Sequence, residues 1–124
     1  MLEHVNVTVS DPDGTAAWLG RVFGWHVRWE GTVLEGAGRT VHCGDEISYV
    51  ALYGPAAGVS EGPPTHVTRA ALNHVGVRVE DLTAVEDLVK SEGFVPHDHA
   101  DYEPGRRFYF QDADGVEWEV VSYA

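Results

Sequence analysis

The chain has 124 residues, which is the usual size of one domain. Its 20 acidic and 8 basic residues give a formal net charge of −12, so it lacks the concentrated Lys and Arg that nucleic acids or anionic membranes require. No apolar run reaches the roughly 20 residues of a membrane-spanning helix, and no secretory signal is evident. With a single cysteine, these features predict a cytoplasmic protein.

The first predicted elements are a strand and a helix. Residues 2–9 alternate between valines on one face and polar residues, among them His4 and Asn6, on the other. This is the period of a strand with one buried face. Asp11 then supplies a helix N-cap, apolar residues at helical spacing follow, and Gly24 fits the end of the helix. The polar face of the strand therefore carries a histidine.

Three short strand-like runs complete the first half of the chain. Turns that contain glycine separate them. The stretch GPAAGVSEGPP, which follows the third run, is rich in Gly and Pro and falls close to the middle of the chain. The order is therefore β-α-β-β-β, with strands predicted at residues 25–30, 39–43 and 47–53.

The second half repeats the first at an offset of 70 residues. LEHVNVTVSD begins at residue 2 and LNHVGVRVED at residue 72, and His74 takes the place of His4. A helix capped by Asp81 and ended by Gly93 follows. The remaining strands are predicted at 94–97, 106–110 and 116–123. We therefore predict one α+β domain of two β-α-β-β-β modules, with module one at about 1–53, a linker at about 54–70 and module two at about 71–124.

Three strand residues carry the candidate chemistry. Each helix must cover one side of its sheet, which leaves the other side free, and His4 and His74 lie on that free side. By the alternation of the last strand, Glu119 faces the same side as His74. Two imidazoles and a carboxylate on rigid strands suit a divalent metal with open coordination positions. The pattern therefore favours a metal site at His4, His74 and Glu119.

The duplicated order, the histidine on each first strand and the segment FYFQDADGVEWEV at 108–120 resemble the vicinal oxygen chelate superfamily, also called the glyoxalase/bleomycin resistance/dioxygenase group. The resemblance covers nearly the whole chain. The quoted segment is similar to the family's F-x-D-P-D-G-N-x-x-E-L ending, with alanine and valine in place of the proline and the asparagine. The resemblance implies a curved mixed sheet with helices on its outer face. It also implies metal ligation by His4, His74 and Glu119.

Tyr49 is the main departure from the family pattern. It lies 70 residues before Glu119, where the family's fourth ligand, when there is one, is usually Glu or Gln. In glyoxalase I and methylmalonyl-CoA epimerase that side chain completes the metal shell and can help proton transfer. Three ligands without a fourth resemble the fosfomycin thiol transferases and the extradiol dioxygenases. The dioxygenases usually carry two such domains in tandem, so the short chain favours the former branch.

The resemblance implies a metal-dependent enzyme of lyase, isomerase or thiol transferase type. Such an enzyme would bind a small oxygen-rich substrate through two oxygens on a divalent Zn, Mn, Fe, Ni or Co ion. Tyr49 and Tyr109 are the candidate acid or base residues. Asn6, Arg78 and Arg107 are the candidate substrate contacts. Family members of this length generally pair, so we expect a homodimer with no nucleic-acid or membrane partner.

Two other functions stay open at this point. One is a metal-free antibiotic-binding protein of the bleomycin resistance type, since the net charge of −12 suits a basic ligand. Trp25, Trp29 and Trp118 are its candidate stacking surfaces. The other is a structural or regulatory relative without activity, which the departure at Tyr49 would allow.

Five further histidines have no assigned role in this interpretation. Two of them flank Asp98 in a predicted loop, where we expect solvated side chains. The five are His26, His42, His66, His97 and His99.

Overall fold

A computed structural model describes residues 1–124. The chain divides into two compact units, residues 1–60 and 61–124. Each unit contains one helix and one four-stranded mixed sheet in the order β-α-β-β-β. The predicted α+β fold of two such modules is therefore confirmed. Neither helix has the length and the apolar character that crossing a membrane requires.

The elements of the first unit are β1 (His4–Thr8), α1 (Pro12–Phe23), β2 (His26–Val33), a single 3₁₀ turn (Leu34–Gly36), β3 (Gly38–Gly44) and β4 (Tyr49–Pro55). The sheet order is β1-β4-β3-β2. Strand β1 pairs in parallel with β4, and the other neighbouring strands are antiparallel.

The second unit repeats this topology. Its elements are β5 (Val75–Arg78), α2 (Leu82–Ser91), β6 (His97–Tyr102), β7 (Gly105–Gln111) and β8 (Glu117–Ser122). The sheet order is β5-β8-β7-β6, with β5 parallel to β8.

The helix of the first unit begins and ends as its sequence predicts. The Asp11 carboxylate accepts a hydrogen bond from the Gly14 amide at 3.0 Å, which satisfies a free donor of the first turn. Gly24 ends the helix in the left-handed region at φ 72°, where a residue with a Cβ is disfavoured. Val7 of β1 and Val9, which follows the strand, are buried, and His4 is on the opposite, exposed face. The strand phase is therefore confirmed.

The core of the second unit corrects one sequence interpretation. Trp118 is almost fully buried, and its indole N–H donates to Asp112 Oδ2 at 3.1 Å, so it is not a stacking surface. Burial raises the pKa of Asp112. The other oxygen of Asp112 accepts from the backbone amides of Asp114 and Val116 and closes the turn between β7 and β8. This carboxylate therefore ties the turn to the core.

The prediction of a strand at 94–97 is wrong. Phe94 precedes the strand and stacks on Phe110, with ring centroids 5.6 Å apart. The strand itself runs from His97 to Tyr102, and its register shifts at a bulge where Asp98 has a φ of +52°. The bulge and the polar sequence HDHADY remove the alternation by which a strand is recognised.

We predict that the Cys43 thiol does not react in the folded protein. The side chain is fully buried, its Sγ lies 3.8 Å from the Ala16 carbonyl oxygen, and burial raises its pKa to about 11. Because the thiolate is the reactive species, iodoacetamide should label Cys43 only as the protein unfolds. Mass spectrometry across a urea series measures this labelling, and fast modification in native buffer would contradict the buried position.

Candidate functional site

His4 of β1 and His74, which directly precedes β5, are held in the same way. His4 Nδ1 lies 2.7 Å from Glu3 Oε1, and His74 Nδ1 lies 2.7 Å from Asn73 Oδ1. Both oxygens are acceptors, so each Nδ1 carries the proton. The lone pair of each ring is therefore on Nε2 and is available to a ligand. A hydrogen bond to the second ring nitrogen is also what orients metal-binding histidines.

His74 and Glu119 form the candidate ligand pair of the second unit. Glu119 lies opposite Gly76 in the parallel pairing of β8 with β5, and His74 directly precedes β5. His74 Nε2 is 3.6 Å from Glu119 Oε2. Two donors bound to one tetrahedral ion at about 2.1 Å each would be about 3.4 Å apart. The pair therefore has the spacing and the chemistry to share one divalent ion.

Tyr109 and Arg107 hold the Glu119 carboxylate from the neighbouring strand. Tyr109 lies opposite Glu119 in the β7–β8 register, and its hydroxyl donates to Glu119 Oε2 at 2.9 Å. Burial, and then this bond to Glu119, raise the pKa of Tyr109, so the phenol stays protonated near neutral pH. Arg107 Nη1 lies 3.6 Å from Glu119 Oε1. The carboxylate thus has a neutral donor and a cation beside it.

The Arg107 guanidinium is itself nearly buried. Its side chain is 10% exposed, it lies over the Tyr102 ring at 4.5 Å, and Nη2 donates to the Gly105 carbonyl at 3.3 Å. Its Nε is buried and has no hydrogen-bond partner. Buried donors are nearly always paired, so this N–H is a free donor beside the candidate ligand.

In the first unit, an aromatic row replaces the carboxylate. Tyr49 stacks between His4 and His42, with ring centroids at 4.8 and 4.5 Å, and Trp29 follows at 5.1 Å from His42. Arg28 lies over the Tyr49 ring at 4.8 Å. Partial burial raises the pKa of Tyr49, which keeps its phenol protonated. We call His4, Tyr49, His42 and Trp29 the aromatic row.

The two other predicted substrate contacts lie on exposed strand faces. Asn6 is on the same side of β1 as His4. Arg78 is 66% exposed, lies 4.0 Å from Glu80 and stacks over Tyr123 at 5.4 Å. Its charge is therefore engaged at the surface rather than by the Glu119 carboxylate.

A second set of polar side chains in the second unit has no role in the sequence interpretation. A cavity of about 320 Å³ opens beside His74 and Tyr109. Glu117 could have been found, because it alternates with Glu119 along β8. His66 carries no local signal, since it lies 51 residues from the carboxylate that it contacts. The set, which we call the polar chain, consists of His66, Glu117, Gln111, His97 and Asp98.

The expectation that His97 and His99 lie in a loop is wrong, because both lie in β6. His97 is half-buried and hydrogen-bonded through both ring nitrogens, whereas His99 is 56% exposed, as expected of a solvated side chain. His99 Nε2 lies 2.6 Å from Glu86 Oε1 of α2. Both imidazoles are therefore held by partners within the unit.

The structure brings together two of the three predicted ligands, His74 and Glu119. His4 belongs to the first unit. No group of three or more His, Cys, Asp and Glu side chains in the chain is arranged to hold a metal ion. The ligand set of three residues thus stays a prediction.

Comparison with known proteins places these features in a family. Residues 1–120 match the family model described as the Glyoxalase/Bleomycin resistance protein/Dioxygenase superfamily. None of the curated protein sequences compared matches the chain.

Several solved structures share the fold at low sequence identity. A glyoxylase/bleomycin resistance protein/dioxygenase domain from Frankia sp. EAN1pec is 21% identical with a TM-score of 0.83, covering 98% of this chain and 96% of that one. The trypanothione-dependent glyoxalase I of Leishmania major is 18% identical with a TM-score of 0.80, covering 99% and 86%. A variant of the fosfomycin resistance protein FosX from Listeria monocytogenes, complexed with Mn(II) and 1S,2S-dihydroxypropylphosphonic acid, is 18% identical with a TM-score of 0.76, covering 98% and 90%.

We predict that Arg107 is needed for the stability of the second unit. Arg107→Met would leave the largely buried Glu119 carboxylate without its cation, which should lower the free energy of unfolding by about 3 kcal/mol. Arg78→Met is the matched control, because the exposed Arg78 should contribute no more than about 0.5 kcal/mol. Urea denaturation measures the free energy of unfolding of both variants. Equal losses would show that Arg107 does not stabilise the fold by pairing with Glu119.

Proposed function

Because the chain belongs to the Glyoxalase/Bleomycin resistance protein/Dioxygenase superfamily, we propose that it is a metal-dependent enzyme that acts on a small oxygen-rich substrate. His74 and Glu119 would hold a divalent ion, with His4 as the third ligand that the sequence predicts. The observation that carries the proposal is the separation of 3.6 Å between His74 Nε2 and Glu119 Oε2. The proton on His74 Nδ1 supports it, since the lone pair of Nε2 then faces the carboxylate.

Such an ion would supply Lewis acidity to two neighbouring oxygens of the substrate. Two imidazoles and one carboxylate suit Zn, Mn, Fe, Co or Ni. The FosX structure with Mn(II) and a dihydroxypropylphosphonic acid supports a divalent ion and a small ligand with several oxygens. The reaction is of the lyase, isomerase or transferase type, and the protein acts as a homodimer.

The surrounding side chains of this unit bind and orient the substrate. Tyr109 is a protonated phenol that donates to Glu119, so it serves as a hydrogen-bond donor or an acid rather than as a base. Arg107, whose Nη1 lies 3.6 Å from Glu119 Oε1, balances the charge of the carboxylate, and its role as a substrate contact stays a prediction from the sequence. In the first unit, Tyr49 takes the place of a fourth ligand in the family pattern. Its raised pKa and its stacking in the aromatic row suit an acid or a ring contact.

We predict that His74→Ala and Glu119→Gln each weaken Mn²⁺ binding by more than about 100-fold. Loss of an outer partner of a metal ligand already costs about 10- to 100-fold, and a ligand itself should cost more. His4→Ala tests the third ligand in the same way. Isothermal titration of the metal-free protein with MnCl₂ measures the affinity.

The control for this titration is His26→Ala, because His26 is an exposed histidine whose Nε2 lies 3.4 Å from the exposed Glu46. This variant should bind Mn²⁺ as the wild type does. The proposal fails if the wild type binds no stoichiometric divalent ion, or if His74→Ala leaves the affinity unchanged.

A second candidate function is metal-free binding of a cationic aromatic drug, as in the bleomycin resistance proteins. The aromatic row supports it, because its end residue Trp29 is 47% exposed and the row continues through His42 to Tyr49. The net charge of −12 would attract such a cation.

For this second function we expect saturable quenching of tryptophan fluorescence by bleomycin in the presence of EDTA. Tyr49→Ala should weaken this binding by about tenfold, the cost of one lost stacking contact, while Trp29 remains as the reporter. Arg78→Ala, which changes an exposed residue of the other unit, is the control. Saturable binding without metal would favour drug capture over catalysis, and its absence would remove this candidate.

A further inference from the structure

The polar chain of the second unit forms a continuous run of hydrogen bonds. His66 Nε2 lies 2.9 Å from Glu117 Oε2, and Gln111 Nε2 donates to Glu117 Oε1 at 2.8 Å. His97 Nε2 lies 2.7 Å from Gln111 Oε1, and His97 Nδ1 lies 2.8 Å from Asp98 Oδ2. Glu117 and Gln111 face each other in the β7–β8 register, so strand pairing fixes the middle of the run.

The direction of these bonds fixes the protons on His97. The Glu117 carboxylate can only accept, so Gln111 turns its NH₂ toward it and its carbonyl oxygen toward His97. His97 therefore donates from Nε2, and it donates from Nδ1 to the Asp98 carboxylate. Burial lowers the pKa of His97, but the bonds to Asp98 and Gln111 outweigh burial and the pKa is raised. His97 is thus an imidazolium that anchors the run.

At the other end of the run, the hydrogen bond to Glu117 fixes the tautomer of His66. The Glu117 carboxylate takes the proton on His66 Nε2, so the lone pair of the ring is on Nδ1. Glu117 is only 9% exposed, and water therefore competes weakly for this bond. The His66 ring is 57% exposed, so its Nδ1 is accessible. A carboxylate that orients a histidine in this way is the arrangement of a general base.

His66 also lies where a substrate would be bound. It lines the cavity of about 320 Å³ together with His74, Tyr109, Asn73 and Glu117. That volume is within the range of small-molecule sites. The accessible nitrogen and the candidate metal ligand His74 thus border the same space.

We propose that His66 is the proton-accepting residue of this site and that Glu117, Gln111, His97 and Asp98 are its positioning residues. His66 Nδ1 takes a proton from a C–H or O–H group of the substrate, and the electron pair of the broken bond stays on the substrate. The proton returns from Nδ1 to the product, so His66 ends unchanged. The inference rests on the proposed function and supplies the base that the family pattern would place at Tyr49.

The first test is the protonation of the imidazoles in the intact protein near neutral pH. Two-bond ¹H–¹⁵N correlation spectra, assigned with His66→Asn, should show His66 protonated on Nε2 alone and His97 protonated on both nitrogens. Glu117→Gln should remove the single tautomer of His66, and Gln111→Leu should remove the second proton of His97. If the spectra show wild-type His66 protonated on Nδ1, the proposal is wrong, whatever the variants show.

Chemical reactivity provides an independent test with an exposure-matched control. Diethyl pyrocarbonate acylates an imidazole through its free lone pair, and His26 is 53% exposed against 57% for His66. Peptide mass spectrometry should show His66 modified several-fold faster than His26, and Glu117→Gln should bring the two rates together. Equal rates in the wild type would contradict an oriented and accessible Nδ1.

Mn²⁺ separates this inference from the proposed function. Mn²⁺ bound at His74 should broaden the ring signals of His66 more than those of His99, which lies beside Glu86 in another cavity. His66→Asn should keep the wild-type Mn²⁺ affinity within about twofold, since His66 is not a ligand. If Mn²⁺ binds and His66 is not broadened more than His99, the inference falls and the proposed function stands. If Mn²⁺ does not bind, the proposed function falls, and the inference falls with it because it rests on that function.

Discussion

Two carboxylates on one face of a central strand set the arrangement of the second unit. Glu117 and Glu119 alternate along β8, which lies between β5 and β7, and both are largely withdrawn from water. A buried carboxylate is tolerated only when cations and hydrogen-bond donors surround it. Glu119 obtains them from Tyr109 and Arg107, and Glu117 from Gln111 and His66. The polar side chains of this face are therefore organised by the need to pair two charges.

The first unit has the same topology without this constraint. Its strand β4 carries Tyr49 opposite His4 and Ala51 opposite Asn6, whereas β8 carries Glu119 opposite Gly76. Register therefore aligns Glu119 with Ala51 rather than with Tyr49, and no buried charge has to be paired in the first unit. Flat rings can then stack directly, and His4, Tyr49 and His42 do so at 4.5 to 4.8 Å. The two sheets thus share one topology, while one carries paired carboxylates and the other a row of stacked rings.

Much of the candidate site could be predicted because strands have a period of two. Alternation along β7 and β8 placed Arg107, Tyr109 and Glu119 on one face, and their contacts follow from the register. His66 could not be predicted in this way, because its partner lies 51 residues further along the chain. The polar strand β6 escaped detection because Asp98 interrupts its alternation at a bulge. The parts of the site that could not be predicted therefore lie in a linker and in irregular backbone.

His4 and His74 are preceded by different residues, so their rings are hydrogen-bonded to different acceptors. Glu3 holds one ring with a full negative charge, whereas Asn73 holds the other with a neutral amide oxygen, both at 2.7 Å. A carboxylate pushes more electron density into the imidazole than an amide does, so Nε2 of His4 is the stronger electron donor of the two. The repeat thus keeps the tautomer of each ring the same, while the strength with which each lone pair donates differs between the halves.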